Sequence, residues 1–190
     1  MNIVKKVVKH TILVTVHRWY VLKLSVKAGN PFRGLLHDIS KFSPTEFFES
    51  VRYYNGKRSP INACVEDKGY SLAWLHHKGR NKHHLEYWES CVNGTRESAF
   101  LPYKYMAEMI CDKIAAGMTY NKNNWTTNQP LDYWINIEKK KPTVVHPATN
   151  MFIETVFQNL AKFGIESTIN SKYLKQTYKS VAKKFDIKIK

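Results

Sequence analysis

The stretch Ile3 to Val26, IVKKVVKHTILVTVHRWYVLKLSV, constrains the fold more than any other part of the chain. It is apolar, but its longest run free of His, Lys and Arg is Thr11 to Val16. That is too short for a membrane-spanning helix or the apolar core of a signal peptide, so neither a membrane segment nor membrane contact is expected. Within it, His10, Val14, His17, Val21 and Leu24 recur at i, i+4, i+7, i+11 and i+14. This spacing collects side chains on one buried stripe of a helix. His17 is therefore expected to point inward.

Helical signals continue along the chain, and alternation bounded by hairpin turns is scarce. Gly29 and Pro31 close the first helix. SPTEFFESVRYYNG opens another, with Ser43 as cap, Pro44 in the first turn and Glu46 completing a capping box. INACVEDKGYSLAWLHH is read as continuing helical through Gly69 until Gly79 and Asn81 interrupt it, and HHLEYWES as a short helical piece before a loop at Gly94. Pro102 starts a helix in which Tyr105, Met109, Asp112 and Ala116 share a face. Further helices are expected near Pro130 to Lys140, Pro147 to Phe163 and Ser171 to Phe185. No repeat or low-complexity linker divides the 190 residues. The expected fold is an all-α single-domain bundle, with a core over about 1–121 and a helical extension over about 126–190.

Hydrophobic residues make up 43% of the chain, enough for a packed core. Thirty basic residues against fifteen acidic ones give a formal charge of +15. Such a surface favours phosphates, nucleic acid or anionic lipid nearby, or serves as a lysine-rich solubilising coat. Cys64, Cys91 and Cys111 are odd in number and show no C-x-x-C spacing. Neither a disulfide framework nor a thiolate zinc site is signalled, and a reducing cytoplasm is expected.

Four side chains that bind metals recur on different predicted helices: His17, the adjacent His37 and Asp38, and Asp112. Imidazole and carboxylate together suit manganese, iron or zinc, and bundle metal sites draw their ligands from facing helices. An isolated buried histidine is more often a satisfied core residue. Four on apolar helical faces, where an unpaired carboxylate is costly to bury, point to a site.

LLHDISKF resembles the core motif of the HD-domain superfamily of metal-dependent phosphohydrolases. In that superfamily a histidine precedes the His-Asp pair and a lone aspartate follows on a later helix, and His17, His37, Asp38 and Asp112 match in order. RGLLHDISKFSPTEFFE, AWLHHKGRNKHHLEYW and MAEMICD also resemble an uncharacterised bacterial and phage family, over roughly 32–120. The resemblance implies an HD-like bundle holding one or two divalent ions. It also directs attention to HHKGRNKHH, because extra histidines in this interval serve a second ion in two-metal HD proteins. One histidine from each pair, His77 and His84, is expected in that role, since adjacent helical side chains diverge by about 100°. Phosphate contact or ligand orientation is the rival role for the run. On a continuous helix His77 and His84 would be about 10 Å apart, so a break at Lys78 to Lys82 must fold the chain back, with Gly79 or Asn81 supplying left-handed backbone.

By the same resemblance, Lys41 matches a lysine that contacts substrate phosphate, and Glu46 lies where some HD nucleotidases place a catalytic carboxylate. The capping box explains Glu46 without chemistry. Glu108, four residues before Asp112, is either a partner behind the ligands or a surface charge. Arg33, Arg80 and Lys82 lie near the ligands in sequence and would meet an anionic substrate. Lys172, Lys175, Lys179 and Lys183 form a stripe with Tyr173 and Tyr178 interleaved, either a nucleic-acid contact or a solvated face. The leading expectation is a metal-dependent phosphohydrolase acting on a nucleotide or related phosphate ester. The alternatives are an HD-fold di-iron oxygenase, or a basic α-helical nucleic-acid-binding module with a non-catalytic metal.

Overall fold

The computed structural model describes residues 1–56 and 58–189, which form one mostly α-helical domain. Its helices are α1 (Ile3–Lys27), α2 (Pro31–Leu36), α3 (Pro44–Tyr53), α4 (Pro60–Lys68), α5 (Leu72–Arg80), α6 (Tyr103–Asn121), α7 (Gln129–Asn136), α8 (Pro147–Thr168) and α9 (Ser171–Lys184). A 3-10 turn over Ile39–Phe42 joins α2 to α3, and another over Leu85–Trp88 follows α5.

The stripe read from the sequence is the buried face of α1: His10, Val14, His17, Val21 and Leu24. Ser43 caps α3, its hydroxyl accepting from the Glu46 amide. Two local expectations fail. Gly69 ends α4 with φ +79°, so the 60–80 segment is two helices, and Gly79 lies inside α5. The Gly94 loop is the turn of a small antiparallel hairpin, β1 (Glu89–Val92) with β2 (Thr95–Ser98). Asn93 and Gly94 both take positive φ there, as a tight two-residue hairpin turn requires.

One apolar cluster joins Val21 and Leu24 of α1 to Met106, Ile110 and Ile114 of α6, Phe152, Phe157 and Leu160 of α8, and Leu174 of α9. The C-terminal helices therefore extend the same core. Against α1, α2 packs so closely that a β-carbon at Gly34 would lie 2.5 Å from Ser25 Cβ. This contact fixes where the chain leaves α2, and the next two residues are His37 and Asp38.

Candidate metal centre

After Leu36 the backbone leaves the helix. His37 is extended (φ −53°, ψ 129°) and Asp38 is left-handed (φ 51°, ψ 27°), a conformation aspartate tolerates better than most residues. Consecutive side chains normally diverge, and this turn lets the two converge. Both are about 1% exposed. α1 brings in His17 and α6 brings in Asp112: His17 Nε2 is 3.0 Å from Asp112 Oδ1 and 3.3 Å from His37 Nε2. His37 Nε2 in turn lies 3.3 Å from Asp38 Oδ2 and 3.5 Å from Asp112 Oδ1.

A second set of donors meets the other oxygen of Asp38. Oδ1 lies 3.3 Å from His77 Nε2 and 3.5 Å from His83 Nε2. Asp38, His77, His83 and His84 each offer an atom within 4.8 Å of all the others, as do His17, His37, Asp38 and Asp112. The Asp38 carboxylate thus stands between two donor groups, one oxygen turned to each.

His77 and His84 come together as expected, their ring centroids 4.8 Å apart. The break is not left-handed, however. α5 ends at Arg80, Asn81 is extended, and neither Gly79 nor Asn81 takes positive φ. Because the segment from Asn81 to His84 is not helical, the divergence of neighbouring helical side chains does not apply to it. His83, which the sequence reading did not select, is 1% exposed and belongs with His84 in the second group. Four histidines in nine residues beside a helix-ending asparagine were the available signal.

Carboxylates outside the two groups hold the rings. Glu108, which is buried, has Oε1 3.1 Å from His37 Nδ1 and 3.2 Å from His83 Nδ1, leaving both Nε2 atoms facing inward. Glu46 similarly binds His77 Nδ1 at 2.7 Å and His76 Nδ1 at 2.6 Å. Its carboxylate therefore serves the histidines and not the α3 cap, and His76 stays outside both groups. Contacts of this kind fix the tautomer and aim of a ligating imidazole.

Lys41 Nζ lies 2.6 Å from Asp38 Oδ2 and is partly exposed, at the flank of the site where Asp112 also reaches solvent. Arg33 is occupied elsewhere, donating to Glu108 at 2.7 Å. Among the described residues, Arg80 and Lys82 make no hydrogen bond or ion pair with the cluster. Arg80 is exposed at the end of α5, and the Lys82 ammonium lies over Tyr87 and Tyr105. The lysine stripe of α9 is exposed, but its tyrosines are not interleaved with it at the surface. Tyr178 is buried, donating to Leu101 O, and Tyr173 accepts from Asn159.

The electrostatics follow from this packing. Burial opposes ionisation of Asp38, but His37, Lys41 and His77 outweigh it and hold the carboxyl well below its ordinary range. Asp112 is held down in the same way by His17 and His37, and Glu108, against its burial, falls to about 2 through His37 and His83. Burial would lower His37, yet Asp38, Asp112 and Glu108 raise it well above the usual histidine value. His84 is driven well down by burial and by the neighbouring histidines. Among the described residues, four carboxylates, Asp38, Asp112, Glu46 and Glu108, face two permanent cations, Lys41 and Arg33.

The donor set fits a metal. Asp38 Oδ1, His83 Nε2 and His84 Nε2 are buried without a hydrogen-bond partner. Unpaired buried polar atoms are costly, and here they concentrate where the two donor groups meet. Two donors each about 2.1 Å from one ion are themselves roughly 3.0–3.4 Å apart, close to the separations at Asp38, His17 and His37. The buried cluster can therefore hold a metal ion.

The model of a family of unknown function (DUF5662) matches residues 6–159, more than half of the chain and all of the donors. The chain belongs to that family. No curated protein and no solved structure matches it significantly.

Proposed function

We propose that this DUF5662 member is a metal-dependent phosphohydrolase of the HD type, acting on a nucleotide or related phosphate ester. The observation that carries the reading is the placement of Asp38, one oxygen toward His17, His37 and Asp112 and the other toward His77, His83 and His84, with Lys41 on its solvent flank. His17, His37, Asp38 and Asp112, with His77, His83 and His84, would hold divalent manganese, iron or zinc, which would supply Lewis-acid polarisation of a phosphoryl oxygen and a water of lowered pKa.

The chain's own groups do the rest. Asp38 and Asp112 contribute full negative charge, because their carboxyls stay ionised. Glu108 and Glu46 aim His37, His83 and His77 through their Nδ1 atoms. Lys41, kept charged by Asp38 and Asp112 against the effect of burial, stands where an anionic oxygen arriving from solvent would meet it. Of the basic residues expected to meet substrate, Lys41 lies beside Asp38, whereas Arg33 serves Glu108.

The test is phosphate release from a nucleotide panel by manganese-loaded protein prepared without oxygen, with oxygen consumption followed in parallel. Phosphate release without oxygen uptake supports the reading. Oxygen uptake without hydrolysis would assign the same ligands to a di-iron oxygenase, and a folded protein that binds no metal would leave a basic binding module.

A further inference from the structure

α1 is apolar on two opposite faces, and only one of them is buried. At about 100° per residue, Val4, Val8, Ile12, Val16, Trp19 and Val26 fall on a single stripe roughly 33 Å long. All six are exposed, from 39% at Val16 to 66% at Val4. This stripe lies across the helix from His10, Val14 and His17, which face the interior. Leu35, Leu36 and Ile39 widen it: Arg18 donates to the carbonyls of Leu35 and His37, holding that segment beside α1, and all three side chains are more than half exposed. A continuous exposed patch of this kind marks an interaction surface.

Charge decides the partner. α1 contains no Asp or Glu, and Lys5, Lys9 and Lys23 line one edge of the stripe. Among the described residues these three lysines have no carboxylate partner, and Lys23 lies over the Trp19 ring at 5.6 Å. Lys27, farther along the same edge, pairs with the exposed Glu166. A second copy of the chain, also at +15, would set Lys5 and Lys9 against Lys23 and Lys27, or against themselves, like charge against like. An apolar stripe with tryptophan, edged by lysines whose stems can lie along apolar surface, matches a helix lying in the interface of an anionic bilayer.

We propose that the outer face of α1, with Leu35, Leu36 and Ile39, docks on an anionic lipid surface. This replaces the sequence expectation of no membrane contact with a peripheral one, since among the described residues no helix is long and apolar enough to cross a bilayer. On α1 the docking stripe lies across the helix from His17, so substitutions in that stripe separate lipid binding from metal content.

The test is co-sedimentation of the full chain with vesicles of phosphatidylcholine containing phosphatidylglycerol, against phosphatidylcholine alone. Wild type sediments with the anionic vesicles and less at high salt, and Val8→Glu with Ile12→Glu raises the lipid needed at least about tenfold while metal content stays at the wild-type value. Should the double variant lose its helical circular dichroism, Trp19→Ser carries the same test with about a threefold weakening. No sedimentation of wild type with anionic vesicles overturns the proposal, as does equal sedimentation of the variants, which would move the contact to lysines elsewhere. A wild-type dimer in analytical ultracentrifugation that the glutamates dissociate, without vesicle binding, would assign the face to a second copy.

Discussion

The two ends of the core are buried equally well and built from opposite materials. Around α8 and α9 the interior is Phe152, Ile153, Val156, Phe157, Leu160 and Leu174, all fully buried. Between α1, α3, α5 and the front of α6 the positions of equal burial hold His17, His37, Asp38, Glu46, His77, His83 and Glu108. Hydrophobic burial stabilises the first region directly. The second collects ionisable groups whose desolvation is only partly offset by one another, an arrangement that gains from a bound cation. The comparison teaches a division of labour, in which the C-terminal helices supply apolar packing and the N-terminal half gathers the metal-donor cluster.

The largest effect should come from Asp38, the residue common to both donor groups. Asp38→Asn keeps the shape and tolerates the left-handed backbone at φ 51°, where alanine would add strain. It is expected to abolish retention of metal at both groups while helical circular dichroism stays near wild type. Full metal occupancy in that variant would break the assignment.

Phe157→Ala inverts the test. It should cost about 3–5 kcal/mol in urea denaturation, and the fraction that remains folded should bind metal at wild-type stoichiometry. A change in stoichiometry would mean that the two regions are not separable. Smaller is the effect of Glu108→Gln, which removes the charge holding His37 and His83 without removing a ligand. It should weaken metal affinity about 10–100-fold, measured by chelator competition, with stoichiometry preserved.

The smallest effect is a pH dependence of the metal-free protein. Burial, aided by the charge of Lys41, depresses His10 to about 4, and both of its ring nitrogens are buried without partners beside Phe47 and Tyr54. The unfolded chain takes up this proton near pH 6.5 and the folded one only near pH 4, so the stability due to neutral His10 is complete above 6.5. It declines as pH falls toward 4, by about 1 kcal/mol between pH 6.5 and 5.5. His10→Leu should lack that loss relative to wild type in urea denaturations across the window, and identical slopes would show that His10 is not buried neutral.

Much of this organisation was legible in the sequence because period and burial coincide. The α1 stripe identified His17 as inward-facing, and the order of His17, His37, Asp38 and Asp112 named the first donor group. His83 was not legible. It was excluded by a rule for helices, and the segment from Asn81 to His84 is a turn. Glu46 was ambiguous for the opposite reason: one residue serves two local purposes, its amide the cap and its carboxylate the histidines. The hairpin was carried by the Asn93-Gly94 pair, yet its strands are four residues each and largely exposed, so no alternation announced them. Tyr173 and Tyr178 looked interleaved with the α9 lysines because sequence adjacency hides the turn between neighbouring helical faces.

Metal stoichiometry tests the central claim most directly. Protein purified without oxygen, loaded with manganese or iron, desalted and assayed by elemental analysis should carry two ions per chain, with His83→Ala and His84→Ala each reducing this to one and sparing the ion of His17, His37, Asp38 and Asp112. One ion in wild type, unaffected by both substitutions, would contradict the account of Asp38 as a carboxylate shared between two sites.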